Sequence, residues 1–431
     1  MALLAFPSLG IRRFTALALL LGPGSSARAQ DVFPLAEHPA VRAITRETLD
    51  RNPGIRASRE RTEAAVARVD RSAALPDPMV SVGYDKGDAW LPGRGMDTGP
   101  RFSVAQELPY AGKRGLLRDL ASREAELTRH ETSGLALGVT YAVRKALADL
   151  LLARENLAII EDQRGATAGI EELTRTRYAA GLASQLDVLR AQAELARLDQ
   201  MRAHEEGLVS AAVAEINRLR ALPAGTEVDP SLRLAALSTL PIEMPPLAAL
   251  LARSHDDTPE IRAATALVER DRLAVDIARR SLKPDFVVSS AYMFRGSLAD
   301  RWTVEAGVIL PAYRKNKQKL AIAEAESILR STRAEQEAMV LRARAAVERA
   351  YADYRAAVLE ARIIEREVLV IDALAVDSAL AGFRAGLTPF ISVLEAHNVF
   401  YQDRRQHAEL LFHILWHSAL LDAFGMERQT S

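Results

Sequence analysis

The sequence of 431 residues contains no cysteine and carries no excess of either charge. Without thiols the chain has no disulfide bonds, no thiolate metal ligands, no cysteine nucleophile and no attachment point for an N-terminal lipid. Lys plus Arg equals Asp plus Glu at 56 each, so the composition shows neither a basic surface for nucleic acid nor an acidic tail. We therefore expect no nucleic-acid partner.

Long apolar runs are also missing beyond the N-terminus, so no transmembrane helix is expected. At the N-terminus, Arg12 and Arg13 precede a short apolar run from Phe14 to Gly22, and an Ala-Arg-Ala site follows at 27–29. This order is typical of a secretory signal peptide, and we predict that residues 1–29 are removed. An exported chain of this kind is periplasmic, secreted, or inserted in an outer membrane as strands.

Proline is absent from two long segments, 110–222 and 312–388. Both are rich in Ala, Leu, Arg and Glu, which favours long helices. A single helix from Gly112 to Ala180 would reach on the order of 100 Å. Apolar residues at spacings of three, four and seven, such as Val143 and Leu147, predict packing along a coiled-coil seam or in a helical tube.

Four short segments between the helical tracts alternate in polarity and predict strands. They lie at about 76–84, 102–109, 285–294 and 302–310. In the last one, apolar residues from Trp302 to Leu310 alternate with smaller or polar ones. Lengths near nine residues, with an apolar face and aromatic residues near its ends, are typical of lipid-facing barrel strands.

The chain repeats itself with a period near 205 residues. The matched pairs are Asn52-Pro53 with Thr258-Pro259, Pro76-Asp77 with Pro284-Asp285, Leu108-Pro109 with Leu310-Pro311, Lys113 with Lys315, Tyr178 with Phe383, and Gly181-Leu182 with Gly386-Leu387. Each unit reads helix, two strands, long helix, Gly-Leu turn, long helix. We assign the units to 30–230 and 231–431, with helical hairpin tips near 181 and 386.

Four strands from one chain cannot close a barrel in lipid, because the edge strands would keep unpaired backbone groups. Copies of the chain must therefore share one barrel, with eight strands from two copies or twelve from three. Periodicity alone does not choose between these numbers.

Duplicated strand pairs between long helices, with a Gly-Leu turn followed by Asp/Ser-Val-Leu, resemble the outer membrane efflux protein family of TolC. The most specific pieces are "AAGLASQLDVLRAQ", "RAGLTPFISVLEAH" and "AQELPYAGKR". The resemblance implies a mainly α homotrimer that contributes four β-barrel strands per chain. These strands would form a twelve-stranded outer-membrane barrel that continues into a long periplasmic α-helical barrel.

The resemblance also implies a function. Such a protein is the exit duct of a tripartite pump, in contact with outer-membrane lipid, a periplasmic adaptor (membrane fusion) protein and an inner-membrane RND-type transporter. "LPDPM" and "QELPYAGKR" are most similar to the heavy-metal efflux branch. Export of drugs or other small molecules, or a type I secretion duct, stays open as an alternative.

Matched by position, the resemblance assigns two groups of residues. The adaptor-contacting tips are Gly181, Leu182, Ser184, Gly386, Leu387 and Thr388, and the periplasmic gate is Asp187, Phe383, Ser392 and Glu395. In the family an acid at the place of Asp187 bonds an aromatic hydroxyl and an arginine. In this chain Phe383 and Thr388 stand in the places of these two partners. We therefore expect a gate held by packing and adaptor contact. Glu395 would form a ring of three carboxylates that attracts cations, or else a solvated helix charge.

Other readings of the sequence have weaker support. His413 and His417 lie one helical turn apart, a spacing that can chelate a transition metal, but the apolar residues between them favour packing. No phosphate-binding loop, nucleophile elbow or carboxylate pair stands out, so we predict neither an enzyme nor a cofactor. A soluble periplasmic coiled-coil adaptor would lack the twofold repeat.

Overall fold

The computed structural model describes residues 38–86, 98–229, 234, 246–256, 258–296 and 298–423. The predicted signal peptide at 1–29 lies outside these residues. The helices are α1 (Pro39–Arg51), α2 (Pro53–Ser72), α3 (Lys113–Ala179), α4 (Gln185–Leu219), α5 (Leu247–Asp256), α6 (Pro259–Arg280), α7 (Lys319–Ile363), α8 (Leu369–Ala385) and α9 (Phe390–Ala423). The strands are β1 (Met79–Asp85), β2 (Gly99–Leu108), β3 (Asp285–Met293) and β4 (Arg301–Ile309).

The four strands form one antiparallel sheet in the order β1-β2-β3-β4. β1 begins at Met79, later than the sequence pattern suggests, because Pro76 and Pro78 flank Asp77 and have no N–H for a strand ladder. β2 begins earlier than expected, at Gly99, which pairs with the last residue of β1. β1 and β4 are the edges of the sheet.

One uninterrupted helix carries the chain away from this sheet. α3 contains 67 residues, so it is about 100 Å long, and the predicted single helix is confirmed. α4 returns along it and ends at Leu219, where the Asn52 Nδ2 donates to the Leu219 carbonyl oxygen at 3.1 Å. The Asn52 Oδ1 also accepts from the N–H of Gly54, so this one side chain caps α2 and joins it to the end of α4. α2 and α4 both pack along the side of α3.

The second repeat builds the same arrangement with α6, α7, α8 and α9. α7 continues into α8 through a π-helical turn at Ile364–Val368, so the helical path runs from Lys319 to Ala385. A second π-helical turn, Arg314–Gln318, lies between β4 and α7. No helix within the described residues is long and apolar enough to span a bilayer.

Helix packing forms two hydrophobic cores between the sheet and the hairpin turns. In the first, Val143, Leu147 and Leu150 of α3 are completely buried against α1, α4 and α9, which confirms the predicted seam. In the second, Tyr354 of α7 is buried together with Leu250 of α5 and neighbouring residues of α9. A third, smaller core lies at the far end, next to the two hairpin turns.

Candidate functional site

The first hairpin turn is built from local contacts only. Gly181 has φ +73°, a left-handed conformation that a side chain would strain, and the Leu182 N–H donates to the Arg177 carbonyl at 2.8 Å. Ser184 and Asp187 then form a capping box at the start of α4, with the Ser184 hydroxyl 2.7 Å from the Asp187 Oδ2. The chain therefore reverses at Gly181, and Ser184 caps the start of α4.

The second turn repeats this geometry with different residues. Gly386 has φ +76°, and the Leu387 N–H donates to the Gly382 carbonyl at 2.8 Å. Thr388 crosses so close to Gly382 that any Cβ there would overlap the Thr388 hydroxyl. Both turns present an exposed leucine, since Leu182 is 66% exposed and Leu387 is 85% exposed.

Arg177 joins the two hairpins. It lies near the end of α3, and its Nη1 donates to the carbonyl of Arg384 in α8 at 3.1 Å. Its guanidinium also lies 4.8 Å from the centre of the Phe383 ring, within the range of a cation–π interaction. Phe383 is only 4% exposed and packs edge-on against Phe390 at 6.0 Å.

The other predicted gate residues lie around this contact. Asp187 accepts hydrogen bonds from its own hairpin, and the guanidinium of Arg190 on the same helix is 4.0 Å away. Ser392 lies in the first turn of α9, where its N–H donates to the Pro389 carbonyl. Glu395 is exposed and forms no ion pair with any of the described residues. The structure thus brings Phe383 into a link between hairpins that does not involve Asp187.

The sequence reasoning missed this role of Arg177. Its position in the second repeat is occupied by Gly382, so the internal repeat carries no signal for it. The close approach of Thr388 to Gly382 was missed for the same reason.

A second missed feature is a buried histidine above the tip. His397 of α9 is 2% exposed, and neither of its ring nitrogens has a hydrogen-bond partner. Burial lowers its pKa to about 4, although the nearby Glu194 carboxylate of α4 acts in the opposite direction. Helical periodicity could have placed this side chain inside, because it follows the buried Val393 and Leu394 by one turn.

Polar side chains also connect α3 with α9. The Gln163 Nε2 donates to the Asn398 Oδ1 at 3.1 Å, and Arg405 donates to the Gln163 Oε1 at 2.8 Å. Burial lowers the pKa of Arg405, which is partly offset by the carboxylates of Glu409 and Glu205. The helices near the tip therefore meet through polar as well as apolar contacts.

His413 and His417 lie on one face of α9, with ring centres 6.1 Å apart and Trp416 stacked beside them. The Lys145 ammonium lies 4.9 Å from the Trp416 ring. Within the described ranges, no group of three or more His, Cys, Asp or Glu side chains is arranged to hold a metal ion. These contacts are those of a packed aromatic cluster.

Comparison with known proteins decides the family. The model of the family described as "Outer membrane efflux protein" matches residues 44–221 and 250–418, one segment in each repeat. The chain belongs to this family. The protein is thus an efflux channel of the outer membrane that extends into the periplasm, and it is not an enzyme.

Two curated relatives are similar over most of the chain. The cobalt-zinc-cadmium resistance protein CzcC of Cupriavidus metallidurans is 25% identical over 320 residues, which cover 72% of this chain and 74% of the relative. The pyoverdine export outer membrane protein OpmQ of Pseudomonas putida is 24% identical over 345 residues, which cover 75% and 69%.

Solved structures share the fold. The outer-membrane channel OprN superposes with a TM-score of 0.81 at 21% identity, covering 92% of both chains. The structure of CusC superposes with a TM-score of 0.74 at 16% identity, covering 94% of this chain and 99% of the other. At these identities the similarity establishes the architecture alone, and it confirms the predicted combination of long helices with four strands.

Proposed function

We propose that three copies of this chain form the exit duct of a tripartite efflux pump, which receives substrate from an inner-membrane RND-type transporter and a periplasmic adaptor. The observation that carries the proposal is the length of α3, about 100 Å between the sheet and the tip. A sheet held in the outer membrane would place the hairpin turns deep in the periplasm. There they could meet partners anchored in the inner membrane.

Trimer formation can be tested by extracting the outer membrane with mild detergent. We expect a species of three chains that is resistant to SDS until it is heated. A soluble monomer in the periplasmic fraction would contradict the proposal.

The two tips are the proposed adaptor-docking surface, formed by Gly181, Leu182, Ser184, Gly386, Leu387 and Thr388. Its support is the exposure of Leu182 and Leu387, because a partner that covers these apolar side chains lowers the free energy of the complex. Replacing both leucines with aspartate should abolish copurification of the adaptor while leaving the trimer intact. Leu208→Asp, an exposed leucine in the middle of α4, is the matched control.

The proposed cargo is heavy-metal cations. The support is the similarity to a relative named for cobalt, zinc and cadmium resistance, together with the motifs that precede and follow the first strand pair. Export of a small organic molecule is the second candidate, because a relative named for pyoverdine export is similar over a comparable length.

Deletion of the gene separates the two cargo classes. We expect a lower tolerance of cobalt, zinc, cadmium, copper or silver, which a plasmid copy of the gene restores. Unchanged metal tolerance with increased sensitivity to drugs, or with loss of siderophore export, would instead support the second candidate.

A further inference from the structure

The strand pairs of the two repeats share one register. Val80 of β1 lies opposite Val104 of β2, and Val288 of β3 lies opposite Ala306 of β4. Val288 is 208 residues after Val80, and Ala306 is 202 residues after Val104, the same offsets that relate Asp77 to Asp285 and Lys113 to Lys315. The repeat is therefore preserved residue by residue in the hydrogen-bonded ladders.

The junction between the repeats, β2 with β3, carries an ion pair at its helical end. The Lys113 Nζ, just after β2, lies 2.8 and 2.7 Å from the two carboxylate oxygens of Asp285, the first residue of β3. Both side chains are about one-fifth exposed. Asp285 also accepts a hydrogen bond from the Tyr110 N–H at 2.7 Å, so it holds the turn into α3.

The counterparts of this pair lie at the two outer edges of the sheet. Lys315 follows β4 in the π-helical turn, and Asp77 precedes β1. Both side chains are exposed, and neither forms an ion pair with another described residue. Charges that are paired at the internal junction are thus unpaired at the edges.

We propose that β4 of one protomer pairs with β1 of the next as β2 pairs with β3, and that Lys315 forms an ion pair with Asp77 of the partner subunit. The inference rests on the proposed shared barrel and specifies its register. In β2–β3, Phe102 lies opposite Tyr292. Adding the offset of 202 to Phe102 gives Val304, and subtracting the offset of 208 from Tyr292 gives Tyr84. The rule therefore places Val304 opposite Tyr84 of the partner subunit. The same rule places Val308 opposite Val80 of the partner subunit.

The pattern of side chains supports this register independently. The transferred register joins apolar residues of β4 to apolar residues of β1, as the internal junction joins Phe102 to Tyr292. Slipping the pairing by one residue would place Val308 opposite Met79 or Ser81, and it would set the apolar faces of the two strands on opposite sides of the barrel. One of the two strands would then turn its more polar face to the lipid, which is unfavourable.

Cysteine cross-linking tests the register, and the chain has no cysteine of its own to interfere. A chain carrying both Val308→Cys and Val80→Cys should give, after oxidation, a trimer that survives boiling without reductant. Directly opposed residues lie close enough for a disulfide, whereas residues displaced by two positions lie at about 7–8 Å. Val308→Cys with Val82→Cys is therefore the matched control, and it should cross-link at least tenfold more slowly.

The two possible failures are distinguishable. Equal or faster cross-linking of the control overturns the register while the trimer still exists. If the chain without cysteines gives only monomers in detergent, the proposed assembly itself fails. Covalent trimers from the opposed pair alone support both proposals.

A charge exchange tests the ion pair. Lys315→Asp should lower the temperature at which the trimer dissociates, by roughly 1–2 °C, and Asp77→Lys in the same chain should restore it. Lys317→Asp, in the same exposed turn, is the control and should not be rescued by Asp77→Lys. An unchanged dissociation temperature for Lys315→Asp, or equal rescue of the control, would overturn the pairing.

Discussion

Replacing Arg177 with methionine removes the charge that joins the two hairpins of one protomer at the tip. The wild-type guanidinium donates to the Arg384 carbonyl and lies over the Phe383 ring. Methionine keeps an unbranched apolar stem of similar width, so the change removes these two interactions without opening a large cavity. We expect the hairpins to separate more readily.

The structure sets the size of the effect. An exposed cation–π interaction contributes about 0.5–1 kcal/mol. The hydrogen bond to the carbonyl adds about 1 kcal/mol once its partial exposure to solvent is taken into account. One protomer therefore loses about 1.5–2 kcal/mol, which changes the ratio of joined to separated hairpins by a factor of about 10–30. Three protomers that move together would lose about 4.5–6 kcal/mol.

Conductance of single channels in planar bilayers measures this change. Arg177→Met should raise the open probability or the mean conductance. Arg175→Met is the matched control, because Arg175 pairs with Glu172 on its own helix and is exposed. A conductance for Arg177→Met equal to that of the control and the wild type would refute the proposed link. In a Phe383→Leu background, Arg177→Met should have a smaller effect than in the wild type, because one of its two interactions is with the Phe383 ring.

Three further predictions concern neighbouring residues. Glu395→Ala should alter conductance or its block by divalent cations in bilayers, and unchanged values would leave it a solvated surface charge. His397 titrates at about 4 in the fold instead of 6.5, so its contribution to stability is present above pH 6.5 and is lost as the pH falls towards 4. His397→Leu should therefore reduce the acid-induced loss of trimer heat stability by up to about 3 kcal/mol, whereas the exposed His413→Gln should not. Gly382→Ala should destabilise the second turn by about 1–3 kcal/mol, measured as trimer melting, and Thr388→Ala should partly restore it.

The fold was predictable because its signals are local and repeated. The absence of proline between Pro109 and Pro223 allowed the long helix, and Gly181 and Gly386 marked its reversals. Alternation of apolar residues showed the four strands. Strand limits were less certain, because the start of β2 at Gly99 depends on its pairing with Asp85 rather than on its own composition.

The tip was predictable only in outline. The position of the turn near Gly181 follows from local chemistry, since the glycine adopts a left-handed conformation there. The contact of Arg177 with Phe383 joins residues that are 206 positions apart, and an exposed-looking arginine at the end of a charged helix gives no sign of it. Similarly, the unpartnered ring nitrogens of His397 are apparent only in the folded structure, where the side chain is buried.

The two repeats are more alike in their strand pairing than in the contacts at their hairpin turns. The different surroundings of the sheet and the tip explain this difference. In a barrel each strand junction must satisfy its backbone groups in lipid, so the internal and external junctions need the same ladder geometry. The tip lies in water, where unpaired groups are solvated and the two hairpins are free to differ. There Arg177 of the first repeat replaces the glycine that permits Thr388 to approach in the second. Repeat symmetry therefore supports the register proposed for the strand junction between protomers, whereas contacts at the tip must be determined for each hairpin separately.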